Sequence, residues 1–297
     1  MFWGFIKKYT LPIAMVVGIA GYKWLGALNG LTPFLVFLML LFTFSKISFN
    51  NLKPTMLHLW LLLIEIGFAV AVYYLLLPFN RIVAQGAMVC VICPTATAAA
   101  VITKKLGGKI EFVASYTLFA NIVVAVAVPF LFPLMSDRGS NVTFLSFFLK
   151  ILSKIFPLLI CPFLLAFCIK KYMPKTQKFI SEKSDIAFYF WAIALIIVIA
   201  QIVKSLIEDN YGGKIEILLA VSALAVCLLQ FFLGKLIGKK YGQKIPAGQS
   251  LGQKNTVLAI WMAQTYLNPI SAVAPGAYVL WQNIINSWQL YRKNRGN

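Results

Sequence analysis

Two ionisable side chains stand where a membrane makes ionisation costly. Glu65 lies in LHLWLLLIEIGFAVAVYYLLL and Lys254 in QSLGQKNTVLAIWMAQTYL, each deep inside an apolar run. A charge at the centre of a bilayer costs at least roughly 2.5–3.5 kcal/mol on insertion scales, and such residues pair or mark ion pathways. Glu111, Asp137, Glu182, Asp185, Glu208, Asp209 and Glu216 fall in loops or at the ends of runs. One deep acid and one deep base therefore suggest a pair. It is either a permanent salt bridge or a titrating pair in which a proton on Glu65 releases Lys254. His58, the single histidine, falls at one end of the run that holds Glu65 and reads as interfacial rather than as a proton relay. Cys90-x-x-Cys93 has redox or zinc spacing, but no second ligand pair or nearby histidine accompanies it. With Cys161, Cys168 and Cys227, also in apolar runs, these read as buried packing residues rather than disulfides or a metal site. No H-E-x-x-H occurs, and one histidine with one deep acid leaves little for hydrolysis.

The elements that must carry these residues follow from composition. Of 297 residues, 61% are hydrophobic and 12% charged, against about 45–50% and about 25% in soluble domains. A soluble enzyme, a disordered tail and a nucleic-acid module are excluded. A polytopic helical membrane protein fits. Ten runs approach the roughly 20 residues a span needs: 10–28, 31–48, 56–77, 83–102, 111–134, 144–169, 186–205, 215–236, 247–267 and 271–291. The connections are short, the longest near residues 170–185. The start, MFWGFIKKYT, reads as an uncleaved first helix rather than a signal peptide. The net charge of +19 is a topological signal. With both termini inside, nineteen cationic residues fall on the inner side and five, Lys23, Arg81, Arg138, Lys204 and Lys214, on the outer side. This is the positive-inside pattern of ten spans with both termini cytoplasmic; the expected location is the inner membrane of a bacterium.

Five spans in each half place the halves, 1–140 and 141–297, upside down relative to each other, as in inverted-repeat transporters. Pro12 and Pro157 read as marks of matching helix entries. Spans four and nine carry the stronger correspondence, because both are interrupted. Pro94 removes a helix hydrogen bond in GAMVCVICPTATAAAVITKK, and Thr95, Ala96 and Thr97 read as the opening of a half-helix. Gly252, Gln253, Lys254, Asn255 and Thr256 form a polar patch inside span nine. A half-helix N-terminus offers amides and partial positive charge to an anion. Thr117 and Asn121 share one helix face, as do Gln282 and Asn286. They are either interhelical glue or part of a site lining.

Cys93-Pro94-Thr95-Ala96-Thr97 resembles the C-P-G-G-T of the bile acid:sodium symporter superfamily, and Gly252-Gln253-Lys254-Asn255-Thr256 resembles its G-x-Q-N-S. The resemblance implies an all-α fold of ten helices in two inverted five-helix repeats. Helices three to five and eight to ten would form a core, and one, two, six and seven a panel. Helices four and nine would be broken and cross. It also implies transport of an organic anion by alternating access, commonly driven by sodium. The departures point to a cation–proton-antiporter-like bacterial branch. Ala99 and Ala100 stand where a Ser-Asn pair ligates sodium, Ser250 where a glutamate does, and Lys254 and Glu65 where glutamines do. Thr117 matches a sodium-liganding hydroxyl.

The expectation is a secondary transporter of a small organic anion, sodium-independent, either proton-coupled or facilitated. The alternative is sodium-coupled symport with remodelled ligands. Thr95, Ala96, Thr97, Asn255 and Thr256 are the candidate substrate residues. Glu65, Lys254, Ser250, Gln253, Thr117 and Asn121 are candidates for ion or proton coupling. No cofactor, resident metal or nucleic acid is expected. Na+ or H+ is the possible coupling ion, and the partners are the lipid bilayer and the substrate. A passive channel and an intramembrane enzyme are the rival classes.

Overall fold

The computed structural model describes residues 2–46, 52–136, 143–183, 186–209 and 213–295. Asp137, Arg138 and Asp185, assigned above to loops, lie outside them. The described residues are helical, and their only β-type pairing is an isolated bridge between Thr95 and Lys254. The helices are α1 (Phe2–Ala20), α2 (Tyr22–Leu25), α3 (Thr32–Ser45), α4 (Met56–Leu76), α5 (Arg81–Ile92), α6 (Ala98–Lys105) and α7 (Ile110–Met135). They continue as α8 (Phe144–Tyr172), α9 (Pro174–Glu182), α10 (Ile186–Asp209), α11 (Lys214–Lys240), α12 (Lys244–Gly252), α13 (Thr256–Tyr266) and α14 (Val273–Arg295).

Among the described residues, six stretches are continuous, long and apolar enough to cross a membrane: Tyr22–Ser45, Met56–Leu76, Ile110–Met135, Phe144–Tyr172, Ile186–Glu208 and Lys214–Lys240. The other four runs differ for local reasons. The fourth divides into α5 and α6, and the ninth into α12 and α13. The apolar part of α1 is the short stretch Thr10–Ala20. The tenth carries Gln282, Asn283, Asn286 and Gln289, which lower its hydropathy. The second span starts earlier than its run implied, through α2 and a 3-10 segment at Gly26–Leu31. Pro12 and Pro157 lie inside α1 and α8, not at their entries, because apolar residues extend both helices N-terminally. The connection near 170–185 holds a helix, α9, begun by Pro174 at a position where a missing amide costs nothing.

The chain divides into two compact units. The first comprises Met1–Ile47 and Pro157–Gly212. In it α10 is central, packed by α1, α2 and α3. Leu40, Phe44, Leu195 and Val198 are buried there, and Gln177 Nε2 donates to Ser45 O at 2.8 Å, tying α9 to α3.

The second unit comprises Ser48–Phe156 and Gly213–Asn297. It holds both broken helices. Thr55 and His58 cap α4 reciprocally: the Thr55 hydroxyl accepts from the His58 amide, and His58 Nδ1 accepts from the Thr55 amide at 3.0 Å. Asn80 Oδ1 accepts from Val83 N at 3.0 Å and starts α5. Leu57, Leu61, Ala99, Phe112, Tyr116, Ala247 and Leu251 form a core between α4, α6, α7 and α12. Close approach of α11 and α12 depends on glycine. A methyl on Gly234 would stand 2.4 Å from the Ala247 carbonyl oxygen, which no side chain can tolerate.

Candidate functional site

Each break has a local cause. At the first, Cys93 is extended (φ −63°, ψ 138°), as the steric demand of the following Pro94 requires, and α5 ends one residue earlier. At the second, Gln253 is extended (φ −97°, ψ 97°) and Asn255 starts α13, its Oδ1 accepting from Leu258 N at 3.3 Å. Breaking a helix inside a protein strands backbone donors and acceptors that must be satisfied elsewhere. Here the two breaks satisfy each other. Ala96 N donates to Gln253 O at 2.8 Å, and Asn255 N donates to Pro94 O at 2.9 Å. The Cys93 thiol adds a bond to Asn255 O at 3.0 Å, and the Thr95 hydroxyl one to Ser250 O at 2.5 Å.

The bridge at Thr95 and Lys254 sets the lysine where its side chain reaches α4. Lys254 Nζ donates to Glu65 Oε1 at 2.7 Å, and both side chains are about fully buried, at 1% and 2% exposure. The second carboxylate oxygen, Oε2, accepts from the Tyr116 hydroxyl at 2.5 Å. Each oxygen thus has its own donor, and the buried charge is neutralised within one cluster drawn from α4, α7 and the second break. A pair this buried must be fully hydrogen-bonded to be tolerated.

A second set of side chains holds the break from behind. Lys254 N donates to Gln282 Oε1 at 2.9 Å. Asn286 Nδ2 donates to Gln253 Oε1, and Asn286 Oδ1 accepts from Gln249 Nε2 at 2.9 Å. The Tyr278 hydroxyl donates to Gly252 O at 2.9 Å and accepts from Gln230 Nε2 at 2.9 Å. The face of α14 that carries Gln282 and Asn286 therefore braces the second break.

The candidate residues divide by exposure. Thr95, Asn255 and Thr256 are buried. Ala96 and Thr97 are half-buried and Ala98, the first residue of α6, is exposed. Thr97 offers no side-chain cap to α6. Ser250, Gln253, Thr117 and Asn121 are buried too, but neither Thr117 nor Asn121 bonds to the ion pair. Thr117 Oγ1 donates to Val113 O at 2.8 Å, and Asn121 Nδ2 to Thr117 O at 2.7 Å. Ser250 Oγ and Asn121 Oδ1 are buried without a hydrogen-bond partner.

Several residues have surroundings that their sequence reading did not include. His58, in the first turn of α4, is buried by protein, with its Nε2 at 3.0 Å from Phe112 O and its ring stacked on Phe112. Cys161 and Cys168 are exposed on α8, not buried, because the face of α8 they occupy is not covered by protein. Cys93 does more than pack, since its thiol joins the two breaks. Tyr116, Tyr278, Gln230 and Gln249 escaped notice altogether. A tyrosine or glutamine inside an apolar run is itself a signal, because its polar end needs a partner in that environment. A cavity of about 250 Å³, lined by Pro54, Thr55, His58, Leu59, Phe119 and Ile122, lies beside the start of α4, and no residue of either break lines it.

Comparison with known proteins places the chain by its sequence. The family model described as the sodium bile acid symporter family matches residues 32–210, which include Glu65, Tyr116 and the first break. A curated relative, an uncharacterised sodium-dependent transporter (YocS) of Bacillus subtilis strain 168, is 22% identical over 211 residues. The match covers 69% of this chain and 62% of the relative, so the chain spans less than two thirds of that protein's length.

Proposed function

The chain belongs to the sodium bile acid symporter family, and from that premise we propose that it moves a small organic anion across the membrane by alternating access, with the Glu65–Lys254 pair in place of a sodium site. The proposed architecture is ten spans in two inverted repeats, 1–140 and 141–297, with the first compact unit as panel and the second as core. Two mutually paired helix breaks in the second unit support it. The positive-inside pattern supports cytoplasmic termini in a bacterial inner membrane.

The single observation that carries the coupling proposal is the 2.7 Å ion pair on the second break. Sodium takes hard oxygen donors. Here the Glu65 oxygens are engaged by an ammonium and a phenol, and Ala99 and Ala100 present only methyl groups. Neither set offers a sodium ion the free oxygen ligands it takes. A proton on Glu65 would cancel the attraction on Lys254, whose backbone is paired with Thr95 in the first break. The charge state of the pair is thereby linked to the geometry of Thr95, Ala96 and Thr97. These residues, with the uncapped start of α6, form the proposed anion-facing surface, and Asn255 and Thr256 support it from the second break.

One observation favours a second reading, sodium-coupled symport with remodelled ligands. The unpartnered buried oxygens Ser250 Oγ and Asn121 Oδ1 are hard donors outside the ion pair. Proteoliposome uptake of a panel of labelled organic acids, under an imposed pH or sodium gradient, separates the two. Uptake that follows pH and ignores sodium is expected. Uptake that follows sodium and ignores pH overturns the proton-coupled reading in favour of the second.

A further inference from the structure

At one end of the second unit, cations gather without a counter-charge. Lys235 near the end of α11 lies against Gly248 of α12; Lys244, which opens α12, stands one turn before Gly248, and Arg292 is near the end of α14, which packs on α11. No carboxylate among the described residues is paired with any of the three. Lys235 is not a free surface lysine. Its stem lies across Gly248 of α12, where an added methyl would come within 2.6 Å of Cγ and 3.3 Å of Cε, so the absent side chain is what lets it lie half-buried between α11 and α12. The positive-inside rule asks only that cations stay on one side of the membrane. It does not ask that one be laid half-buried in a groove between two packed helices. Like charges gathered in a partly desolvated groove repel unless an anion sits among them.

The surroundings set the depth of that anion. On α14 the Arg292 guanidinium lies 5.1 Å over the Trp288 ring, and the Arg295 guanidinium 4.7 Å over the Tyr291 ring. Both rings are about half exposed at the protein surface. Exposed tryptophan and tyrosine concentrate at headgroup level, where one edge of the ring is apolar and the other wet. Lys293 Nζ, beside them, donates to Lys105 O at 2.9 Å and fixes this end of α14 to the end of α6. Arg292 and Lys293 thus share the end of α14 with the aromatic rings that favour headgroup depth. We propose that Lys235, Lys244 and Arg292 form a binding site for the phosphate of an anionic phospholipid, with Lys235 as the inner contact in the Gly248 groove. The site lies apart from the ion pair, and its assignment does not depend on the substrate or the coupling ion.

Native mass spectrometry tests this with the full chain released from vesicles of equal parts phosphatidylglycerol and phosphatidylcholine. Phosphatidylglycerol adducts are expected to dominate. Lys235→Gln is expected to lower them about fivefold, the effect of about 1 kcal/mol per cation near a membrane surface. Arg292→Gln, at the exposed side of the cluster, is expected to act in the same direction and serves if Lys235→Gln expresses poorly. Lys150→Gln, on an exposed part of α8, is the control and leaves the adducts unchanged. Equal retention of the two lipids, or cluster variants that keep the wild-type level of phosphatidylglycerol, overturns the site. Inorganic phosphate raising the Tm as far as phosphatidylglycerol does overturns the lipid assignment.

Discussion

Between Ile92 and Ala98 the chain leaves its helix and comes to the surface, whereas between Gly252 and Thr256 it leaves its helix and stays sealed. The first break has proline as its cause, and past Thr95 it has half-buried or exposed residues and an uncapped α6. The second has no proline. It is held by side chains from α14 and capped by Asn255, and it carries the buried ammonium. Local chemistry breaks the first helix and tertiary contacts stabilise the break in the second. In the proposed transport cycle this divides the labour: the open break meets the substrate, and the sealed one holds the charge.

That contrast fails most directly at Lys254. Lys254→Ala leaves Glu65 buried beside a tyrosine alone, and a loss of about 3–5 kcal/mol is expected. Pairing it with Glu65→Gln removes the stranded charge and recovers much of the loss. Thermal unfolding in detergent reads both, and equal destabilisation of single and double variants would show that the two side chains do not interact. Tyr116→Phe removes one donor to the same carboxylate, a charge-assisted bond worth about 1.5–3 kcal/mol. The cost should shrink in a Glu65→Gln background, and a double-mutant cycle measures the difference. Asn255→Ala removes the cap of the sealed break, with an expected loss of about 1 kcal/mol in the same unfolding assay. At the open break the expected stability change is smallest. Thr97→Val should shift stability by about 0.5 kcal/mol or less while raising the KM for uptake. A Thr97→Val variant that loses stability as Asn255→Ala does, with KM unchanged, would erase the distinction between the two breaks.

Much of this was legible before any coordinates. Glu65 and Lys254 stood out because each is alone of its sign at depth in an apolar run. Pro94 announced a break through a rule that acts over one or two residues. The partners of that break were harder to see. Tyr116 looks like one more aromatic in an apolar helix until Glu65 is brought beside its hydroxyl. Thr117 and Asn121 are one and five residues further along α7, share a face and carry more conspicuous polarity, yet they bond within their own helix. His58 shows its place at the start of a span, but not that Phe112 stacks on it. In each case the residue type stated a need for a partner and only packing supplied one.

Membrane residence, helicity and the place where the first broken helix must give way are properties of the sequence itself, because hydropathy and backbone sterics operate within a single segment. The meeting of Lys254 with Glu65, 189 residues earlier, is not such a property. It requires α4, α7, α11, α12 and α14 to pack so closely that an ammonium and a carboxylate lose water together. The same packing decides that one break is open and the other sealed, since exposure depends on which neighbours cover a segment and not on the segment's own residues.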